Sequence, residues 1–136
     1  MLRTKGGDNM AGYYGHIEKD TLENSYFRKV LFTAPHSQLV LMCLKPNEEI
    51  GMEVHEGNDQ FFRFEKGQGK VIIGGEELMV ADGDTAIVPA GQMHNVVNTS
   101  DTEELKLYTI YSPAHHPDGT VHATKEDAIK AEDEKK

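Results

Sequence analysis

Cysteine, tryptophan and excess positive charge are scarce or absent in this chain of 136 residues. Cys43 is the only cysteine, which excludes a disulfide within one chain. It lies in the apolar run 39–44, so the sequence predicts a buried thiol and not a reactive nucleophile. The fold must therefore be held by its hydrophobic core.

The charge balance excludes one class of partner. Lys and Arg together number 14, Asp and Glu number 23, and the formal net charge is −9. Nucleic-acid binding requires clustered basic side chains, which the sequence does not contain. It also has no apolar stretch of membrane-spanning length and no hydrophobic signal core in its first thirty residues. We therefore expect no nucleic-acid partner, no membrane association and a cytoplasmic location.

Short segments rich in β-branched and aromatic residues, separated by turn signals, predict an all-β sandwich or barrel. The pair Gly74-Gly75 predicts a two-residue hairpin between two of these segments. The predicted strands are residues 27–32, 38–44, 51–55, 60–65, 69–73, 77–81, 85–88, 93–98 and 105–111.

The chain divides by composition into three parts. Residues 1–25 are predicted to be a polar N-terminal arm, with residues 1–15 mobile, and residues 26–112 to be the β-barrel. Residues 113–136 are predicted to be a covering loop followed by a short C-terminal helix, with Thr124 as a candidate N-cap.

Four polar residues form a candidate metal site. Alternate side chains of an extended strand share a face, so Glu53 and His55 point the same way, and Gln60 and His94 can converge on them from later strands. Two imidazoles, one carboxylate and one amide oxygen suit divalent transition metals better than calcium or magnesium. The alternative is that these are ordinary polar residues of half-exposed strands.

Glycines and a proline surround these residues at fixed offsets. Gly83, Pro89, Gly91, His94 and Asn98 follow the pattern G, five residues, P-x-G, two residues, H, three residues, N. This pattern is the second motif of the cupins, and the chain resembles that family from residue 26 to residue 112.

In the first motif of the cupins, His55 occupies the second histidine position and Gly67 the closing glycine. Glu53 replaces a histidine of the motif and Gln60 replaces its glutamate, so the single carboxylate has moved to another position. The resemblance implies a double-stranded β-helix, or jelly-roll barrel. It further implies one divalent metal, Fe, Mn, Ni or Zn, bound inside the open end of that barrel by Glu53, His55, Gln60 and His94.

Three aromatic residues are candidates for the pocket wall. Phe62 and Phe64 share a strand face with Gln60, although plain core packing explains them equally well. Tyr108 and Tyr111 face opposite sides of the last strand, so only one can point inward, and we name Tyr108 as lining the pocket. No general acid or base can be assigned.

Three histidines, His115, His116 and His122, lie in an irregular loop containing two prolines and a glycine. Histidines in loops are usually solvated, which favours a covering loop over a second metal site. The loop is predicted to pack across the barrel or against a partner subunit.

Several functions fit this sequence. The leading hypothesis is a metal-dependent enzyme acting on a small oxygenated, anionic or sugar-like metabolite. It would be either an isomerase, in which the metal acts as a Lewis acid on a hydroxy-carbonyl, or a dioxygenase. A non-catalytic binding or sensor protein is the alternative, and an interaction scaffold with a structural metal is the third possibility. The edge strands of a small barrel predict a homodimer.

Overall fold

The computed structural model describes residues 11–134. The first ten residues of the predicted arm therefore lie outside the described residues. The helices are α1 (Ile17–Glu23) and α2 (Lys125–Glu134). The strands are β1 (Arg28–Thr33), β2 (Gln38–Leu44), β3 (Asp59–Lys66), β4 (Gln68–Ile73), β5 (Glu76–Ala81), β6 (Thr85–Val88), β7 (His94–Asn98), β8 (Leu105–Ser112) and β9 (Val121–His122).

The strands form two antiparallel sheets. The larger sheet has the order β6-β3-β8-β2-β1-β9 and the smaller has the order β5-β4-β7. The core between them includes the fully buried side chains of Phe62, Phe64, Leu44 and Leu107. The predicted all-β class with a short C-terminal helix is confirmed. Neither helix within residues 11–134 is long and apolar enough to cross a membrane.

The predicted hairpin at Gly74-Gly75 is confirmed. Ile73 pairs with Glu76, and the two glycines between them have φ angles of 57° and 90°. Side chains disfavour positive φ at both central positions, so this tight turn requires glycine. The hairpin fixes the register of β4 and β5.

The predicted strand at residues 51–55 was wrong. This segment makes a single isolated bridge, between Glu53 and His94, and an earlier bridge joins Glu49 to Val97. Gly51 has a φ of 112°, which turns the backbone out of the extended conformation between the two bridges. The segment follows the inner edge of β7 without forming a continuous ladder.

Helix α1 was not predicted, and it falls within the part assigned to the polar arm. Its C-terminal turn is fixed by the buried Lys106 of β8, whose Nζ donates to the carbonyls of Leu22 and Asn24 at 2.7 and 3.0 Å. A cation at this position also complements the helix dipole. Helix α2 begins as predicted, since the backbone N–H of Asp127 donates to the hydroxyl of Thr124 at 3.1 Å.

Candidate metal centre

A two-bond backbone bridge places Glu53 beside His94 at one end of the barrel. The N–H of Glu53 donates to the carbonyl of His94 at 2.8 Å, and the N–H of His94 donates back at 2.9 Å. The carbonyl of His55 accepts from the N–H of Gly91 at 2.9 Å, and Gly91 has a φ of 86°. The turn at 89–91 therefore holds both histidine-bearing segments in place.

Glu53, His55 and His94 converge as predicted. One ligand atom from each lies within 4.8 Å of the others, and the two imidazole centroids are 5.1 Å apart. His94 and His55 are buried, with 3% and 8% of their surface exposed, while the Glu53 side chain is one-third exposed. The cluster is able to hold a metal ion and is open to solvent on the carboxylate side.

The fourth predicted residue, Gln60 of β3, also reaches the cluster. Its Oε1 lies 3.2 Å from Nε2 of His94, while its Nε2 donates to the hydroxyl of Thr109 at 3.0 Å. On the other side of the imidazole, Nδ1 of His94 lies 3.0 Å from the carbonyl of Gln92. Both contacts of the ring are with oxygen acceptors.

A neutral imidazole has only one N–H, so it can donate to only one of these two oxygens. Neither oxygen can donate, and the shorter contact, 3.0 Å to the carbonyl of Gln92 against 3.2 Å to Gln60, favours the proton on Nδ1, which leaves a lone pair on Nε2. That lone pair then faces the amide oxygen of Gln60. Two lone pairs facing each other are stabilised by a cation between or beside them, so the donor set fits a metal ion.

His55 has an unpaired nitrogen at the same place. Its buried Nε2 makes no hydrogen bond among the described residues, and Oε1 of Glu53 lies 3.4 Å from it. Burial raises the pKa of Glu53, but the neighbouring His55, Arg28 and His94 outweigh it and hold the pKa of this carboxyl below its usual value. Glu53 is therefore ionised and available as a ligand at neutral pH.

The two phenylalanines predicted as pocket wall are fully buried. The ring of Phe62 lies 6.3 Å from that of His94 and 6.3 Å from that of Phe64. Phe62 therefore lies beside the cluster, while Phe64 continues the same face of β3 into the core.

The choice of Tyr108 as a pocket residue is corrected. Tyr108 lies on the outer face of the larger sheet, where its ring is 6.2 Å from that of Phe61. Tyr111, three residues along β8 and 2% exposed, points inward, and its ring is 5.7 Å from that of His55. Burial raises the pKa of Tyr111 far above its usual value, so its hydroxyl stays protonated.

The histidine loop covers this end of the barrel. The ring of His115 lies 4.1 Å from that of His55, and His116 Nε2 lies 3.3 Å from the hydroxyl of Tyr111. The fully buried side chain of Gln38 fixes the loop. Its Oε1 accepts from the backbone N–H groups of His115 and His116 at 3.1 and 3.0 Å, and its Nε2 donates to the carbonyl of His116 at 2.7 Å.

His115 is exposed, as predicted for a loop histidine, and it also packs against the predicted ligand His55. Burial is the main reason why its pKa and that of His116 are lowered, so both rings are neutral at pH 7. A polar glutamine at the start of the apolar strand β2 was the available signal, because a buried amide must find partners outside its own strand.

The fold agrees with the comparisons to known proteins. The family model of the Cupin domain matches residues 40–111, more than half of the chain. The chain belongs to the cupin family.

Known relatives cover most of its length. The chain is 47% identical over 124 residues to YrkC of Bacillus subtilis, which covers 87% of this chain and 66% of YrkC. The crystal structure of BH2720 from Bacillus halodurans is similar, with a TM-score of 0.88, 39% identity and coverage of 93% of this chain and 99% of that one. An oxalate-binding protein of Thermotoga maritima is 26% identical over 98 residues, covering 70% of this chain and 75% of its own. This chain thus spans about two thirds of YrkC.

Proposed function

We propose that this cupin binds one divalent transition metal through Glu53, His55 and His94, with Gln60 as a weaker fourth ligand, and uses it to bind a small oxygenated metabolite. The observation that carries the proposal is that Nε2 of His55 has no hydrogen-bond partner among the described residues, while Nε2 of His94 beside it faces the amide oxygen of Gln60 at 3.2 Å.

The donor set favours Fe, Mn, Ni or Zn. Two imidazoles exclude a site selective for calcium or magnesium, and the single cysteine, Cys43, is buried in β2. Glu53, His55, His94 and Gln60 would hold such an ion, and it would supply Lewis acidity or a site for oxygen.

Charge favours an anionic metabolite. With one carboxylate among the ligands, a divalent ion leaves the site with a formal charge of +1, which attracts enediolates or carboxylates. The oxalate-binding relative from Thermotoga maritima supports a small oxygenated ligand in this type of site.

The protein's own residues limit water access. His115 and Tyr111 cover His55 on the inner side, so a ligand reaches the cluster past the exposed side of Glu53. The protonated hydroxyl of Tyr111 is a hydrogen-bond donor next to His55. A metal-dependent isomerase and a dioxygenase remain the two candidate reactions, and a sensor cupin is the non-catalytic alternative.

The experiment is elemental analysis of protein purified without added metal. The analysis is repeated after exposure to the ions of Fe, Mn, Ni and Zn. We expect close to one transition-metal ion per chain. Iron would favour oxygen chemistry, and zinc or manganese would favour Lewis-acid chemistry. A protein that stays metal-free after exposure to all four ions would refute the proposal.

We also propose that the protein is a homodimer. The strands β5 and β6 each end a sheet, and exposed edges of this kind are usually covered. Light scattering at micromolar concentration should give the mass of two chains, and the mass of one chain would contradict the proposal.

A further inference from the structure

Arg28 is a buried arginine next to the candidate metal centre. It is the first residue of β1, where it pairs with Met42 of β2 and His122 of β9, and only 6% of its surface is exposed. Arginine is rarely buried to this extent unless its charge is paired, because removing a guanidinium from water is costly.

No carboxylate pairs with Arg28 within residues 11–134. Its Nε is buried without a hydrogen-bond partner, and its Nη1 makes one long contact, 3.4 Å, with Nδ1 of His122. Arg63 of β3 provides a comparison, since its Nε also makes no hydrogen bond, but its side chain is 37% exposed and its Nε lies 3.3 Å from Oε1 of Glu65. The more deeply buried arginine is thus the one without a carboxylate at ion-pair distance, and its guanidinium lies over the ring of Phe27, 5.2 Å from the centroid.

A cavity of about 250 Å³ adjoins the Arg28 side chain. Glu53, the carboxylate of the metal cluster, lines the same cavity, so a ligand inside it can reach both Arg28 and the metal centre. The apolar part of the cavity wall is formed by Ile50 and Met52 and, from helix α2, by Ile129. The volume suits a metabolite of a few carbon atoms.

The charges around the cavity select the type of anion. Arg28 and Lys125 are positive, and Glu53, Glu132 and Asp133 are negative, which gives a formal charge of −1. A divalent ion at Glu53 changes this to +1, which one carboxylate neutralises. A phosphate dianion would instead add excess negative charge beside three carboxylates.

We propose that Arg28 binds the carboxylate of a small monoanionic oxo or hydroxy acid whose neighbouring oxygen is directed toward the metal centre. This inference rests on the proposed function and assigns the substrate class of the same site. A guanidinium binds a carboxylate through two parallel N–H donors, and the unpaired Nε is one of the groups that can donate.

The test uses protein loaded with Co²⁺, whose visible absorption responds to ligands at the metal. Pyruvate and glycolate serve as carboxylate probes, hydroxyacetone as a neutral probe with similar oxygens, and inorganic phosphate as the competing anion. Wild type is compared with Arg28→Gln and Arg28→Lys, and with Arg63→Gln as a matched arginine variant outside the cavity. Circular dichroism and thermal unfolding establish that each variant is folded.

We expect wild type and Arg63→Gln to bind a carboxylate probe equally well, and Arg28→Gln to bind it about tenfold or more weakly. Arg28→Lys keeps the charge without the planar pair of donors and should fall between them. Hydroxyacetone affinity and Co²⁺ affinity should be unchanged by either Arg28 substitution, and phosphate should bind more weakly than the carboxylates.

Each contrary result has a distinct meaning. If the folded wild type does not bind Co²⁺, the proposed function fails and this inference fails with it. If Co²⁺ binds normally but neither carboxylate binds, or if both bind equally to wild type and Arg28→Gln, the inference about Arg28 is wrong while the metal site stands. Should Arg28→Gln not fold, Arg28→Lys decides the question by the same comparison.

Discussion

The polar residues at the two ends of strand β7 differ in how completely the protein satisfies them with hydrogen bonds. At one end, Nε2 of His55 has no hydrogen-bond partner among the described residues, and Nε2 of the neighbouring His94 faces the amide oxygen of Gln60. At the other end, Asn98 donates through Nδ2 to the carbonyls of Leu44, Lys45 and Glu103 at 2.8 to 3.1 Å, and its Oδ1 accepts from the N–H of Ser100 at 2.9 Å.

One end of this strand therefore stabilises the fold, and the other end contributes to the candidate metal centre. Four residues of a strand span about 13 Å, so the two ends are in different surroundings although they share one motif. Buried polar groups are normally hydrogen-bonded, and each exception calls for an explanation. Asn98 hydrogen-bonds to three chain segments, whereas the two histidines direct ring nitrogens toward the candidate metal site.

The largest effect should follow from His94→Ala. The variant loses one of two imidazole ligands, so its metal affinity should fall about 100-fold or more. The metal-free protein should unfold at nearly the same denaturant concentration as wild type, because the barrel has its own core. Chelator competition and urea unfolding measure the two quantities. Unchanged metal affinity would remove His94 from the site.

Asn98→Ala should give the reverse result. Losing a buried amide that satisfies several backbone groups should lower the free energy of unfolding by about 2 to 3 kcal/mol. The metal affinity of the folded variant should match wild type, since Asn98 lies at the other end of β7. Urea unfolding checks the first expectation. A stable Asn98→Ala protein with weakened metal binding would reverse the assignment of the two ends.

Gln60→Glu tests the end of β7 that carries the candidate metal centre. A carboxylate is a better ligand for a divalent ion than an amide, so metal affinity should rise about tenfold. The added negative charge should at the same time weaken binding of an anionic metabolite. Chelator competition gives the metal affinity. If it equals that of wild type, Gln60 is not a ligand and the site has three protein ligands.

The smallest effect concerns Cys43, a buried residue that lies outside the candidate metal centre. Burial, with a smaller contribution from Glu104, raises the pKa of its thiol from an ordinary value of 9.0 to about 11. Between these two pH values the unfolded thiol ionises while the folded thiol does not, so stability falls as pH rises through this window. The loss is on the order of 1 to 2 kcal/mol.

The control is Cys43→Ala, which lacks the titrating group. Wild type should lose more stability than this variant between pH 9 and pH 11, as measured by urea unfolding at each pH. Equal losses in the two proteins would mean that the Cys43 thiol ionises in the folded state as readily as in the unfolded chain.

The parts of the fold set by local sequence were predictable. Strand β2 and strand β6 have the predicted bounds, and the hairpin at Gly74-Gly75 is determined by two residues that accept positive φ. The turn before His94 depends on Pro89 and Gly91, two residues that are typical of turns and that the motif in the sequence includes.

The parts set by distant contacts were not predictable. Helix α1 is held at its C-terminal end by Lys106, more than 80 residues away, and its own sequence has little helical signal. The place of His115 beside His55 depends on Gln38, which is 77 residues earlier. Whether Tyr111 or Tyr108 points into the barrel depends on which face of β8 packs against the core. The alternation of side chains along a strand does not determine that face.

Nuclear magnetic resonance of protein with ¹⁵N-labelled histidine, titrated with Zn²⁺, tests the central claim most directly. Four histidine rings meet at this end of the barrel, and the method reports on each ring nitrogen separately. We expect one equivalent of Zn²⁺ to shift the Nε2 signals of His55 and His94 strongly, while His115 and His116 keep their neutral, unbound shifts. Strong shifts at His115 or His116, or none at His55 and His94, would contradict the account.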